Sequence, residues 1–179
     1  MKKKLTTVLA IVLVVALSVA GTYAYLTDKT ATIKNTFTVG NVNIDLTEGT
    51  GEFYKMVPGT TIGKDPMVTV KENSEACWLF VKVEKSANFD DFMTYDMANG
   101  WTKLEEGVFY RQVAASAADQ DFAVLANDTV TVMPDVTKDM MDAIDNGTAA
   151  KPTLTFTAYA CQADGFTSVA DAWAVAKNA

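Results

Sequence analysis

The chain contains no histidine among its 179 residues. Histidine is the commonest general base of enzymes and the commonest zinc ligand of proteins. Its absence excludes the two-histidine helix of zinc proteases and removes the usual base of a serine triad. The sequence also lacks a Gly-x-Ser-x-Gly elbow, a phosphate-binding loop and a dinucleotide fingerprint. We therefore expect a protein that is not an enzyme, with no catalytic residue, no metal and no cofactor.

Cysteine is scarce, since only Cys77 and Cys161 are present. Two thiols cannot build a four-cysteine metal site. In an exported chain they could form a disulfide, and the sequence leaves this pairing open. Strand alternation argues mildly against it: Cys77 falls on the apolar face of its predicted strand, whereas Cys161 lies opposite Leu154 and Phe156. A bulge near Ala160 would reverse that phase.

Positive charge is also in short supply, with 15 basic against 22 acidic residues and a net charge of −7. Nucleic acid and anionic lipid are therefore poor partners. Asp135, Asp139 and Asp142 have helical spacing and could offer oxygen atoms to a cation. Because the glycine and the terminal glutamate of a calcium loop are missing, we predict a solvated helix face there.

One long apolar run is present, and it begins after Lys2, Lys3 and Lys4. It ends at small residues in the arrangement of a secretory signal, which predicts cleavage between Ala24 and Tyr25. The uncharged stretch is long enough to remain as a membrane anchor, but its polar second half favours cleavage. We expect a signal peptide over residues 1–24, a single domain over 25–179, and secretion to the cell surface or extracellular matrix.

Apolar and polar residues alternate over much of the remaining chain, as in half-buried strands. The alternation predicts strands near residues 32–39, 42–46, 67–70, 76–84, 101–104, 108–113, 122–125, 129–133 and 153–161. Short helices are predicted over 138–144 and from Ser168, where Asp171 completes a capping box and Trp173 lies on the apolar stripe. This pattern indicates a mostly β fold, an antiparallel two-sheet sandwich with a short C-terminal helix, preceded by the signal helix.

The strand at 76–84 has two apolar faces. Cys77, Leu79 and Val81 share one face with Val83, while Trp78 and Phe80 lie on the other with Lys82 and Glu84. The first face is predicted to be core. The aromatic residues of the second face are covered either within the domain, which we favour, or by a neighbouring subunit.

Residues 21–46, GTYAYLTDKTATIKNTFTVGNVNIDL, carry a specific pattern: a small residue, Thr, an aromatic and Ala, then an Asp, and then Asn-Thr-Phe-x-x-Gly before an alternating strand. This segment resembles the exported proteins of the TasA/camelysin family. Residues 57–84 and 157–166 are similar to later parts of that family, whereas residues 86–150 have no specific match.

The resemblance implies a jelly-roll sandwich, processing by a SipW-type signal peptidase, and assembly into biofilm-matrix fibres by donation of the N-terminal strand to the next subunit. A strand over residues 25–46 could pair with an open sheet edge and fill apolar pockets. The predicted assembly residues are Ile33, Phe37, Val39, Val42 and Ile44.

Three functions stay open from the sequence. The favoured one is a secreted structural protein whose partners are other copies of itself and further matrix or cell-surface proteins. The second is a monomeric adhesion module that uses Trp78, Phe80 and Trp101 as exposed aromatics. The third is a metalloprotease of the camelysin type, against which the missing histidine argues.

Overall fold

A computed structural model describes residues 40–51 and 54–178 of the chain. The predicted signal peptide, the cleavage pair Ala24 and Tyr25, and the predicted assembly residues Ile33, Phe37 and Val39 lie outside the described residues. The prediction of one domain beginning at residue 25 therefore stays a prediction.

The fold of the described residues is mostly β, as the alternation predicts. Ten strands are present: β1 (Ile44–Thr47), β2 (Thr61–Gly63), β3 (Met67–Val70), β4 (Cys77–Lys85), β5 (Met93–Thr94), β6 (Thr102–Glu105), β7 (Val108–Val113), β8 (Gln120–Ala123), β9 (Thr129–Val132) and β10 (Leu154–Gln162). Three short α-helices accompany them: α1 (Phe89–Phe92), α2 (Lys138–Asp145) and α3 (Val169–Ala176). Strands β2 and β5 and helix α1 were not predicted, because each is too short to produce a periodic pattern.

One layer of the fold is the four-stranded antiparallel sheet β10-β4-β7-β6. Its central strand β4 pairs with β10 over its whole length, from Cys77 opposite Gln162 to Lys85 opposite Leu154. Strand β7 pairs with the other edge of β4. The apolar and β-branched residues of β4 suit this central position, since they are covered on both sides.

The second layer consists of two three-stranded antiparallel sheets, β1-β3-β8 and β2-β9-β5. The two sheets follow one another along the chain, because β2 leads into β3 and β8 leads into β9. Backbone bonds join them, from Lys64 N to Asp128 O at 2.7 Å and from Val124 N to Pro66 O at 3.0 Å. The two-sheet sandwich is thus present as two layers, with one layer interrupted at this bend.

The predicted strand at 122–125 is wrong at its end, since β8 stops at Ala123. Val124 and Leu125 are buried but lie outside any strand. Asn127 and Asp128 adopt positive φ angles of 56° and 52°, and the chain turns there before β9 begins.

The main core lies between the two layers. It contains the predicted core face of β4 together with residues of β3 and β9, and its buried members include Val68, Val70, Cys77, Leu79, Val81, Val83, Val130 and Val132. The period-two interpretation of β4 is therefore confirmed. Leu154 and Phe156 of β10, which share one face of their strand, pack against the same core.

A smaller cluster covers the outer face of the four-stranded sheet. Ser168 caps the start of helix α3, and its side chain accepts a hydrogen bond from Asp171 N at 3.2 Å. Trp173 of this helix lies 5.2 Å from the ring centroid of Phe80 and 5.3 Å from that of Tyr159. Phe80 is 0% exposed as a result. The aromatic face is covered within the chain, as favoured from the sequence.

No helix among the described residues has the length and apolarity needed to cross a membrane.

Candidate assembly surface

Strand β1 carries the two predicted assembly residues that the structure describes, Val42 and Ile44. Val42 precedes the strand and Ile44 opens it, so the strand starts two residues later than predicted. Both side chains are half-buried and pack against the main core. Ile44 is paired with Val70 of β3. These two residues therefore attach the segment to its own sandwich.

The outer edge of β1 has no strand partner among residues 40–51 and 54–178, since β1 ends the sheet order β1-β3-β8. Polar contacts hold the strand in place. Lys71 Nζ lies 2.9 Å from Asp45 Oδ2 and 3.4 Å from Asp119 Oδ2. The carboxylates raise the pKa of Lys71, chiefly through the hydrogen bond to Asp45. This exposed triad links β1 to the segment that enters β8.

The turn after β1 is fixed by one carboxylate. Asp65 Oδ1 accepts hydrogen bonds from Gly49 N and from Thr50 N, each at 2.9 Å. Hydrogen bonding from Thr50, supported by the Gly49 backbone, lowers the pKa of Asp65. The charged carboxylate thus satisfies two backbone donors that the turn leaves without other partners.

An apolar groove of about 810 Å³ opens beside β2. We call it the α2 groove, because helix α2 forms one of its walls. Its apolar lining is Met56, Ile62, Phe89, Met93, Val130, Met141, Ile144 and Leu154. Methionine side chains adapt to irregular partners, so this lining can accept an apolar side chain of varied shape. The sequence did not predict the groove, because its walls come from segments far apart in the chain.

Polar residues border the α2 groove, and Lys64 is the best defined of them. Its side chain is 12% exposed, and its Nζ lies 2.6 Å from Glu48 Oε1. The same Nζ lies 5.3 Å from the ring centroid of Tyr54 and 5.6 Å from that of Phe156. The lysine therefore joins the turn after β1, the groove border and strand β10 in one contact network.

The three aromatics proposed for an adhesion surface do not form one. Phe80 is buried under α3, which corrects its assignment as exposed. Trp78 is half-buried with its ring 5.9 Å from that of Tyr110, and its Nε1 has no hydrogen-bond partner among the described residues. The indole Nε1 of Trp101 donates to Ala123 O at 2.8 Å, which fixes that ring between the layers. The three side chains therefore lie in three different environments and do not form one exposed surface.

The two cysteines are free thiols. Cys161 is paired with Trp78, the residue after Cys77, so the two thiols lie on opposite faces of the same sheet. Burial raises the pKa of Cys77 to about 11 and also raises that of Cys161. Both groups are therefore protonated at neutral pH and are poor nucleophiles. The bulge that would have brought them together is absent from the β4–β10 register.

The carboxylates of the α2 region are separate from one another. Asp135, Asp139 and Asp142 are exposed, and Asp142 is paired with Lys138 one helical turn away. Within the part of the chain that the structure describes, no group of three or more Asp, Glu or Cys side chains could hold a metal ion. Catalytic zinc requires three protein ligands. The residues present at 40–51 and 54–178 do not fit such a site.

The comparison with protein families gives one match, to the model described as camelysin metallo-endopeptidase, over residues 1–149. No curated protein and no solved structure matches the chain. The matched residues include every element from β1 to α2, and they leave out β10 and α3. Because the model covers most of the chain, the resemblance at residues 21–46 is confirmed: the chain belongs to the camelysin family.

Proposed function

We propose that this chain is an exported structural protein of the cell surface or biofilm matrix, which assembles by donating its N-terminal segment to the next copy. The observation that carries the proposal is the α2 groove, an apolar cleft whose lining includes Ile62 of the edge strand β2. Residues 32–39 alternate so that Ile33, Phe37 and Val39 share one face of an extended strand. These side chains match the apolar lining of the groove.

The anchoring of Val42 and Ile44 divides the N-terminal region into two parts. Residues 25–39 form the donated part, whereas Val42 and Ile44 stay with the core of the donor. A strand donated from one copy into the groove of the next copy is a heterologous contact, which does not close on itself. Repetition of that contact produces a filament. The assembled chain needs no metal and no catalytic residue.

Electron microscopy of the chain beginning at Tyr25 tests the proposal. We expect filaments from this chain and none from the same chain with a few blocking residues added before Tyr25. Phe37→Asp is expected to abolish filaments because it places a charge in an apolar pocket. The absence of filaments from every version, at high concentration and low pH, would refute the proposal.

Neighbouring methionines of α2 provide a matched pair for the acceptor. Met141 lines the α2 groove, whereas Met140 faces the other side of the helix near Met133. We expect Met141→Lys to block assembly and Met140→Lys to permit it. Because Phe37→Asp damages only the donor and Met141→Lys only the acceptor, a mixture of the two variants should give dimers of one chain of each kind but no filaments. Equal effects of the two lysine variants would contradict the role of the groove.

The signal peptide adds a second testable part. We infer that a SipW-type signal peptidase cleaves the chain between Ala24 and Tyr25, so that the protein is secreted. Mass spectrometry of the exported protein should give Tyr25 as its first residue. A first residue at Met1 would indicate an anchored protein instead.

The family description favours one other candidate, a metallo-endopeptidase. The described residues offer no ligand set for a catalytic metal. We expect the purified chain to cleave casein no faster with added zinc than with a chelator. Zinc-dependent cleavage that co-purifies with the chain would favour the protease.

A further inference from the structure

Strand β10 is one of the two edge strands of the four-stranded sheet. Its only strand partner among the described residues is β4, and β1 of the other layer lies next to it without pairing. It spans nine residues, LTFTAYACQ, none of which is charged or proline. Proteins normally protect sheet edges with short strands, charged residues, proline or bulges, because an open edge pairs readily with another strand. None of these features protects β10.

The other edges of the two layers are protected. At the opposite edge of the same sheet, β6 has four residues, Lys103 and Glu105 among them, and its register with β7 shifts between these two. Strands β2 and β5 have three and two residues. Strands β1 and β8 carry Asp45 and Asp121. The contrast singles out β10 as a pairing surface.

We propose that β10 pairs with the β10 strand of a second copy, in an antiparallel arrangement about a two-fold axis near Ala158. With the axis perpendicular to the sheet, both copies keep their cores on the same side, and the two sheets become one of eight strands. Leu154 then lies opposite Gln162 of the second copy, and Phe156 lies opposite its Ala160. This interface is isologous, because both copies use the same residues.

The sequence around β10 suits this self-pairing. Lys151 precedes the strand and Asp164 follows it, so the antiparallel arrangement brings the lysine of each copy close to the aspartate of the other. No like charges meet along the strand, because β10 contains none. The segment 25–39 carries Lys29 and Lys34, which makes it a poorer match for this uncharged edge.

The interface is distinct from strand donation and extends it. Donation joins copies end to end through the α2 groove, whereas β10 pairing joins them side by side. Strand β10 also lies beyond residues 1–149, the part that matches the family model. Side-by-side pairing would therefore dimerise single copies or connect neighbouring filaments.

Sedimentation of the chain beginning at Tyr25 tests the inference. In the Phe37→Asp background, which removes donation, we expect a concentration-dependent dimer. Thr157→Glu should weaken this dimer at least about tenfold, the equivalent of ~1.4 kcal/mol, because two carboxylates then meet near the axis. The fold should tolerate the change, since Thr157 is paired with Lys82 across the β4–β10 ladder.

Thr102→Glu on β6 is the matched control, because it adds the same charge at the opposite edge of the same sheet. We expect the control to dimerise as the parent does. A chain that stays monomeric at all concentrations would overturn the inference, and so would equal weakening by the two glutamates. Neither result would decide whether filaments form. That question is answered by electron microscopy of the chain that begins at Tyr25 and keeps Phe37.

Hydrogen exchange provides a second measurement that needs no β10 substitution. Amides of residues 154–162 should gain protection as the protein concentration rises, whereas those of 102–105 should not. Protection that disappears with Phe37→Asp would identify the donated N-terminal segment as the occupant of this edge. That result would overturn the β10 pairing.

Discussion

The guanidinium of Arg111 lies over the ring of Phe122, with its central carbon 4.1 Å from the ring centroid. Arg111 is the only arginine of the chain. The same carbon lies 5.2 Å from the ring centroid of Trp101. Because Arg111 belongs to β7 and Phe122 to β8, this stack joins the two layers of the sandwich. Burial lowers the pKa of Arg111, and no carboxylate among the described residues pairs with it.

Replacement of Arg111 should therefore destabilise the contact between the layers. We expect Arg111→Ala to lower the free energy of unfolding by about 1–3 kcal/mol, through lost packing and lost cation–π contact. Arg111→Lys should recover only part of this, because an ammonium lacks the planar surface with which a guanidinium stacks on a ring. Urea unfolding measures the difference. Lys103→Ala on exposed β6 is the control. If it lowered the free energy of unfolding as much as Arg111→Ala, the stabilising role of the stack would be contradicted.

Trp173 should contribute more to stability than any exposed residue of α3. Its ring packs on Phe80 and Tyr159, and its Nε1 donates to Glu105 Oε1 at 2.7 Å. We expect Trp173→Ala to cost about 3–5 kcal/mol in unfolding free energy. Val175, which is 54% exposed on the same helix, provides the control, and Val175→Ala should change stability by about 0.5 kcal/mol or less. If the two variants lost similar amounts of unfolding free energy, the packing of α3 on the outer face of the four-stranded sheet would not stabilise the fold as argued.

Two glycines separate the effect of backbone conformation from that of steric contact. Gly107 ends the β6–β7 hairpin turn with φ of 71°, and a Cβ there would lie 2.6 Å from Val83 O. Gly147 has φ of 78° and open space around it. We expect Gly147→Ala to cost about 1 kcal/mol, the cost of a left-handed conformation alone. Gly107→Ala should lower stability clearly more than Gly147→Ala does, as measured by thermal unfolding. Equal losses of stability in the two variants would argue against the close approach to Val83.

Asp65 should make the stability of the turn after β1 depend on pH. Its folded-state pKa is lowered below the ordinary value of 3.8. The carboxylate therefore contributes stability above that ordinary value, and the contribution disappears as the pH falls through the lowered pKa. Near neutral pH, Asp65→Asn should have a lower free energy of unfolding than the parent chain. In strong acid the difference between the two chains should become smaller. A difference that stays constant across urea titrations from neutral to strongly acidic pH would contradict this assignment.

Local periodicity predicted the elements of the fold that are long enough to repeat. The strand at 67–70 has its predicted bounds, and β4 and β10 start and end within a residue of theirs. The Ser168 cap and the apolar stripe with Trp173 gave α3. Strands β2 and β5, of three and two residues, and helix α1, of a single turn, give no periodic signal, because one strand or helix repeat is about as long as the element itself.

The sequence by itself determined which face of β4 enters the core, since a period of two fixes alternate side chains wherever the strand pairs. It also determined the family, through the residues at its N-terminal junction. Only the tertiary structure decided that Phe80 lies under Trp173, that the two thiols lie on opposite faces of one sheet, and that Met56, Met93 and Met141 meet in one groove. These relationships join residues far apart in the chain, and they depend on which strands pair and in what order. Local patterns of hydrophobicity carry no information about that order.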